Sequence, residues 1–171
     1  MTPIASASSN IETAGAINPT PINARSEEAR GKPMFRQALQ KRRCLVPADG
    51  FYEWKRIDDK AKVPHFIHLK DGEPFFIAGI YEAATERWPE TYALLTTGPN
   101  SLMGPIHNRM PVILTEDNAQ QWLAPGDLAP DRFADLCRAY SAERMRAYPV
   151  STIVNTPNND VPECILRANP E

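Results

Sequence analysis

The stretch Cys44-Leu45-Val46-Pro47-Ala48-Asp49-Gly50-Phe51-Tyr52-Glu53-Trp54-Lys55 decides how the chain is read. Its first half is a short apolar run, its middle is the turn signal Asp49-Gly50, and its second half is aromatic and strand-like. Two strands meeting at a glycine predict a β framework rather than a helical bundle. Glu53 is the single carboxylate of the aromatic half. Flanked by Tyr52 and Trp54, it is expected to be partly desolvated, which raises a carboxyl toward values useful for acid–base chemistry. The plainer alternative is an edge-strand carboxylate facing water.

On the amino-terminal side, Ser26 is placed to cap a short helix whose first turn carries Glu27 and Glu28. Phe35, Ala38 and Leu39 then recur at helical spacing, and Lys41-Arg42-Arg43 closes that helix with cations. On the other side, 57–62 reads as a charged hairpin or loop. Pro64 to Leu69 and Phe75 to Tyr81 read as strands around the tight turn Asp71-Gly72, and are predicted to pair as a hairpin. Tyr92 to Thr97 and Val112 to Leu114 predict further strands. Helices are expected to open at Thr115-Glu116-Asp117-Asn118 and to run from Pro130 to Tyr140, and Tyr148 to Val154 is expected to be the last strand, before an irregular tail. Strands with helices at the periphery define an α+β domain.

The bulk composition agrees with one such domain. The chain has 171 residues, and 42% of them are apolar, enough to bury a core without disulfide or metal staples. Seventeen prolines against eight glycines favour loops and sheet edges over long helices. A net charge of -2 excludes a uniformly basic nucleic-acid binder, so any DNA contact must come from a few placed arginines and lysines. Cys44, Cys137 and Cys164 form no CxxC pair, and no stretch resembles a secretion signal or a membrane span. A cytoplasmic, monomeric protein with reduced thiols is therefore expected, free of metal and cofactor. Residues 1–20, small and nearly uncharged, are expected to be flexible and to precede a domain covering 21–171.

Two further segments are candidates for chemistry. In Gly104-Pro105-Ile106-His107-Asn108-Arg109-Met110-Pro111, a histidine two residues from an arginine suits an anion, with His107 able to exchange a proton near neutral pH. A loop histidine bonded to backbone carbonyls is the alternative. In Ile22-Asn23-Ala24-Arg25, strand alternation puts Asn23 and Arg25 on one side, where an amide and a guanidinium suit a phosphate or a base edge. An ordinary helix-entry turn is the competing explanation. His65 and His68 are three apart, which puts them on opposite faces of a strand and argues against a metal site. Cys44 reads as a core residue rather than a nucleophile.

Taken in order, these segments resemble the SOS-response-associated peptidase (SRAP) family. The resemblance also runs through Phe75-Phe76-Ile77-Ala78-Gly79-Ile80-Tyr81, Leu94-Leu95-Thr96-Thr97 and Val150-Ser151-Thr152-Ile153-Val154-Asn155, so it covers about residues 21–166 collinearly. It implies a curled, mainly antiparallel β core with peripheral helices, and a channel for single-stranded DNA. It also implies an activity: the cysteine after the initiator Met attacks the aldehyde of an abasic site and closes a thiazolidine crosslink during the DNA-damage response. The same cysteine is linked to autoproteolytic release of the Met. Carried over by motif, Glu53 is the acid–base residue, His107 assists opening of the sugar ring, Asn23 holds the nucleophile or lesion sugar, and Arg25 and Arg109 bind phosphates. Here the family start Met-Cys-Gly-Arg is replaced by Met1-Thr2-Pro3-Ile4. The first strands are expected to be missing, and Thr2 offers only a hydroxyl, a far weaker nucleophile than a thiolate. Three readings stay open: a shortened abasic-site processing enzyme, a crosslink-incompetent single-stranded DNA-binding module, or a degenerate remnant.

Overall fold

At Asp49-Gly50 the chain leaves one β-sheet and enters another. The computed structural model describes residues 21–86 and 89–168; the segment 1–20, expected to be flexible, lies outside the described residues. Strand β2 (Arg43–Ala48) belongs to a six-stranded sheet, and β3 (Phe51–Arg56) to a three-stranded one. Gly50 permits the crossing: a Cβ there would stand 2.4 Å from Phe66 Cζ and 2.7 Å from the Ile67 carbonyl oxygen.

The larger sheet runs β1 (Asn23–Arg25), β6 (Thr91–Thr97), β5 (Phe75–Glu82), β2, with the short β7 (Met110–Pro111) on β6 and β8 (Ile113–Leu114) on β5. Among the described residues β1 lies parallel to β6, and the other ladders are antiparallel. β5 and β6 pair over Gly79–Glu82 and Thr91–Leu94, then diverge. The segment 110–114 fills the opening between them. Val112 ties both sides, its N–H donating to the Leu95 carbonyl and its own carbonyl accepting from Ala78 N–H, each at 2.9 Å. The smaller sheet has the order β3, β4 (Lys62–Leu69), β9 (Met145–Pro149).

Burial divides the molecule into layers. One face of the large sheet packs Ala78, Ile80 and Leu95 under α2 (Pro33–Lys41), α3 (Glu116–Leu123) and α4 (Pro130–Leu136), through Phe35, Leu39, Trp122 and Phe133. Its other face packs Ile77, Met110 and Ile113 against Phe51, Ile67, Leu69 and Met145 of the small sheet. Tyr52, Phe66, Val150 and Cys164 form a third cluster on the outer side of the small sheet. The basic run after α2 has a structural use. Arg43 donates to the Leu39 carbonyl at the end of α2 and to the Trp122 and Ala124 carbonyls at the end of α3, satisfying acceptors that helix termini leave open. Thr115 caps α3 by accepting from Asn118 N–H at 3.3 Å.

The α+β class and the curled, antiparallel-rich core agree with expectation, but several local readings do not. Strands β4 and β5 form no hairpin. The turn at Gly72 is present, with φ 76°, yet the two strands belong to different sheets. β5 is buried on both faces from Ile77 to Ile80, so it takes a central place in a sheet covered on both sides, which a two-stranded pairing with β4 would deny it. The Ser26 cap is displaced: Arg25 occupies the capping position of α1 (Ser26–Ala29), and Ser26 is its buried first residue. The last strand begins three residues earlier than expected and stops at Pro149. A 3-10 turn, Thr152–Asn155, follows it. The helix from Pro130 ends at Leu136 instead of reaching Tyr140.

Candidate functional site

Glu53 sits in the middle of β3, where alternation decides its surroundings. Phe51 packs between the two sheets, and Tyr52 joins the outer cluster with Trp54 against it. By parity Glu53 shares the inter-sheet side with Phe51. The flanking aromatics therefore do not desolvate it, as the sequence suggested; they point the other way. Burial between the sheets does so, and it pushes the Glu53 carboxyl above its ordinary value. His107, the backbone N–H of Trp54 and Lys62 offset part of that rise.

His107 reaches Glu53 from the loop between β6 and β7, with Nδ1 3.6 Å from Glu53 Oε1. That loop is built from within. The Asn100 side chain accepts from the N–H groups of Leu102 (3.1 Å) and Met103 (2.9 Å) and donates to the Tyr140 carbonyl at 2.7 Å. The Met103 carbonyl accepts from Ile106 N–H at 2.8 Å and His107 N–H at 2.9 Å, above a fully buried Met103 side chain. Arg109 N–H then donates to His107 Nδ1 at 3.2 Å, and the Arg109 carbonyl lies equally close to the same nitrogen. With Nδ1 bare, the ring accepts from Arg109; with Nδ1 protonated, it faces the Arg109 carbonyl and Glu53. The carboxyl and the imidazole can thus exchange one proton with only a small movement of either group.

The Arg109 side chain is already engaged. Its two terminal nitrogens donate to the two Glu27 oxygens at 2.8 Å each, and Nη2 also donates to the Thr96 carbonyl at 2.5 Å. This guanidinium holds the Glu27 carboxyl below the usual carboxylate range. Arg109 Nε is buried with no partner among the described residues. A bidentate pair of this kind fixes both charge and plane.

Asn23 and Arg25 flank the buried Ala24 on β1, so they share one exposed side, as alternation predicts. Asn23 is in register with Leu94 and Arg25 with Thr96, whose hydroxyl accepts from Arg109 Nη2 at 3.2 Å. Leu94 packs against the inter-sheet cluster, so Asn23 and Arg25 belong to the face of the large sheet that looks toward the small one. Arg25 also lies 3.6 Å from Glu28. The structure therefore joins Glu53 with His107 and links Arg109 to His107 through its peptide. Asn23 and Arg25 stand on the same face with no hydrogen bond or ion pair to that group among the described residues.

Two participants escaped the sequence reading. Glu27 was assigned to a helix end, whereas its carboxylate braces Arg109 across 82 residues of chain. His65 was weighed only as a metal ligand with His68. It is the direct cross-strand partner of Glu53 in the β3–β4 ladder, and strand pairing is the signal that would have found it. Among the described residues no cluster of histidine, cysteine or carboxylate side chains is arranged to hold a metal ion.

Two facing sheets carry a carboxylate–imidazole pair, Glu53 with His107, and Arg109 beside it. The chain belongs to the SOS response associated peptidase (SRAP) family, whose pattern matches residues 6–157. It is 48% identical over 151 residues to the abasic site processing protein YoqW of Bacillus subtilis, covering 84% of this chain and 66% of that protein. It is 34% identical to abasic site processing protein YedK of Escherichia coli, over 86% of this chain and 67% of that one. The match to abasic site processing protein HMCES of Xenopus tropicalis, at 32% identity, covers 84% of this chain and 49% of the longer protein. A crystal structure of a Bacteroides thetaiotaomicron protein superposes with a TM-score of 0.76 at 35% identity, over 86% of this chain and 66% of that one. The chain thus spans about two thirds of the bacterial relatives it matches and half of the vertebrate one. No helix among the described residues is long and apolar enough to cross a membrane.

Proposed function

We propose that the domain spanning residues 21–171 holds single-stranded DNA at an abasic site and assists proton transfer at the lesion sugar. The observation that carries the reading is the contact of a desolvated carboxyl, Glu53, with the His107 imidazole at 3.6 Å. A carboxyl raised by burial retains a proton closer to neutral pH and can pass it to an oxygen of an opening sugar; the imidazole can take one from another. Asn23 supplies an amide for the sugar, and Arg25, exposed beside it, contacts a flanking phosphate. Arg109 adds positive charge from a braced position, with a phosphate competing against Glu27 for its remaining donor capacity.

Covalent capture is not assigned to the three described thiols. Burial pushes Cys44 up and Cys137 up to about 12, and Cys164 is buried with its thiol directed to the Asn159 carbonyl. Neither Cys44 nor Cys137 is activated as a nucleophile. The proposal is therefore a recognition module with acid–base capacity, acting as a monomer in the cytoplasm during the DNA-damage response. Any peptidase or lyase step would run through the same Glu53–His107 pair.

The test is fluorescence anisotropy with labelled single strands that either carry one abasic site or are intact, and with the corresponding duplex. Tighter binding to the abasic single strand supports the reading, and equal binding to all three defeats it. Sedimentation of the chain with and without the oligonucleotide checks the monomer.

A further inference from the structure

His65 lies directly opposite Glu53 in the β3–β4 ladder, so their Cβ atoms project from the same face about 4.5–5.5 Å apart. Ile67 and Leu69, at the same parity on β4, pack between the sheets, which puts His65 on the side of the Glu53–His107 pair. His68, of the other parity, stacks on Phe66 and meets the edge of Tyr148 on the outer side. The His65 ring stacks on no aromatic ring among the described residues. It is half-buried and makes one hydrogen bond, from Nδ1 to the Val63 carbonyl at 3.0 Å.

That bond selects the tautomer of the neutral ring. A carbonyl only accepts, so Nδ1 carries the hydrogen, and the neutral ring keeps a bare Nε2 with no partner among the described residues. In that tautomer Nε2 accepts a hydrogen bond and suits a hydroxyl donor. We infer that His65 is a specificity residue whose Nε2 accepts a hydrogen bond from a sugar hydroxyl bound beside Glu53. An intact nucleotide carries its base on C1′, whereas the closed abasic sugar carries a hydroxyl there, so the contact distinguishes the lesion from undamaged strand. The inference rests on the proposed binding of abasic single strands and adds the group that reads the sugar.

The experiment compares the chain's affinity for two single strands, one with the natural abasic sugar and one with its tetrahydrofuran analogue, which lacks the C1′ hydroxyl. One neutral hydrogen bond predicts a preference of roughly threefold to tenfold for the natural sugar. His65→Leu should abolish that preference while leaving affinity for the analogue unchanged. His65→Gln, which retains an acceptor, should restore part of it, and His68→Leu should leave the preference intact. If the unaltered chain binds both strands and His65→Leu keeps the full preference, the role of His65 is refuted and the binding reading stands. If the unaltered chain binds neither strand, the binding reading fails and this inference falls with it.

Discussion

Replacing Gly50 with alanine tests whether the passage between the sheets depends on the absence of a side chain. The added methyl would meet the Phe66 ring at 2.4–2.5 Å and the Ile67 carbonyl oxygen at 2.7 Å. The ring can rotate aside, but the carbonyl cannot, because Ile67 is paired with Phe51 in the β3–β4 ladder and with Ala147 in the β4–β9 ladder. Overpacking of this kind costs about 1–3 kcal/mol, and a fixed backbone neighbour puts this case near the upper end, at about 3 kcal/mol. For a chain of this length each kcal/mol moves the melting midpoint by roughly 2–4 °C, so Gly50→Ala should melt about 6–12 °C lower. The control is Gly98→Ala, where a Cβ meets nothing within 4 Å and φ is not positive. There the reduced freedom of the unfolded chain should add about 0.4–1 kcal/mol. Scanning calorimetry on the two variants decides the matter. A Gly50→Ala midpoint within about 2 °C of the unaltered chain would refute the steric account, given the same scaling.

Three other outcomes are expected. The folded state raises the Glu53 carboxyl above its unfolded value, so its stabilising contribution is present below the unfolded value and is lost as pH rises through the folded one. Glu53→Gln should therefore be at least as stable as the unaltered chain at neutral pH, with the difference shrinking on acidification; a difference in urea midpoints that does not change with pH would mean that the carboxyl is solvated. Arg109→Ala removes the bonds to Glu27 and Thr96. Discounted for the exposure of Glu27, this should cost about 1–2 kcal/mol in urea unfolding and lower affinity for every single-stranded sequence alike. A change in base preference would mean that Arg109 reads bases. Arg25→Ala should shift stability by less than about 0.5 kcal/mol and reduce the salt slope of single-strand binding by about 0.7; an unchanged slope would remove Arg25 from phosphate contact.

Much of the framework is legible in the sequence because it is encoded locally. The Asp49-Gly50 break, the Phe35, Ala38 and Leu39 stripe, and the α3 start at Thr115 each lie within a few residues of the structure they produce. Alternation in Asn23-Ala24-Arg25 likewise placed two side chains on one side correctly. What failed was pairing. A turn at Asp71-Gly72 looks the same whether the strands around it hydrogen-bond to each other or part into separate sheets, and that choice depends on partners as distant as β9 and β2. The same blindness hid His65 from Glu53, because cross-strand neighbours are set by register, not by spacing. It also hid Glu27 from Arg109, an ion pair that exists only once α1 and the 98–109 loop meet.

The contact of Glu53 with His107 is consequently a property of the inter-sheet packing rather than of either segment. Glu53 belongs to the small sheet through β3, while His107 and Arg109 lead straight into β7 and β8, which hold open the large sheet. Between these supports lie Met103, Met110, Ile113, Phe51 and Ile67, all in the inter-sheet cluster. Close-packed cores resist small displacements, so the 3.6 Å separation of Glu53 and His107 is held by apolar contacts that carry no chemistry themselves. The Glu27–Arg109 brace acts on the same coordinate from the other side, pinning the loop peptide that borders His107 Nδ1 to the start of α1. A carboxyl raised by burial is useful only while its partner stays near enough to share the proton. The wedge of 110–114 and the Arg109 fork are the two features of this fold that keep it there.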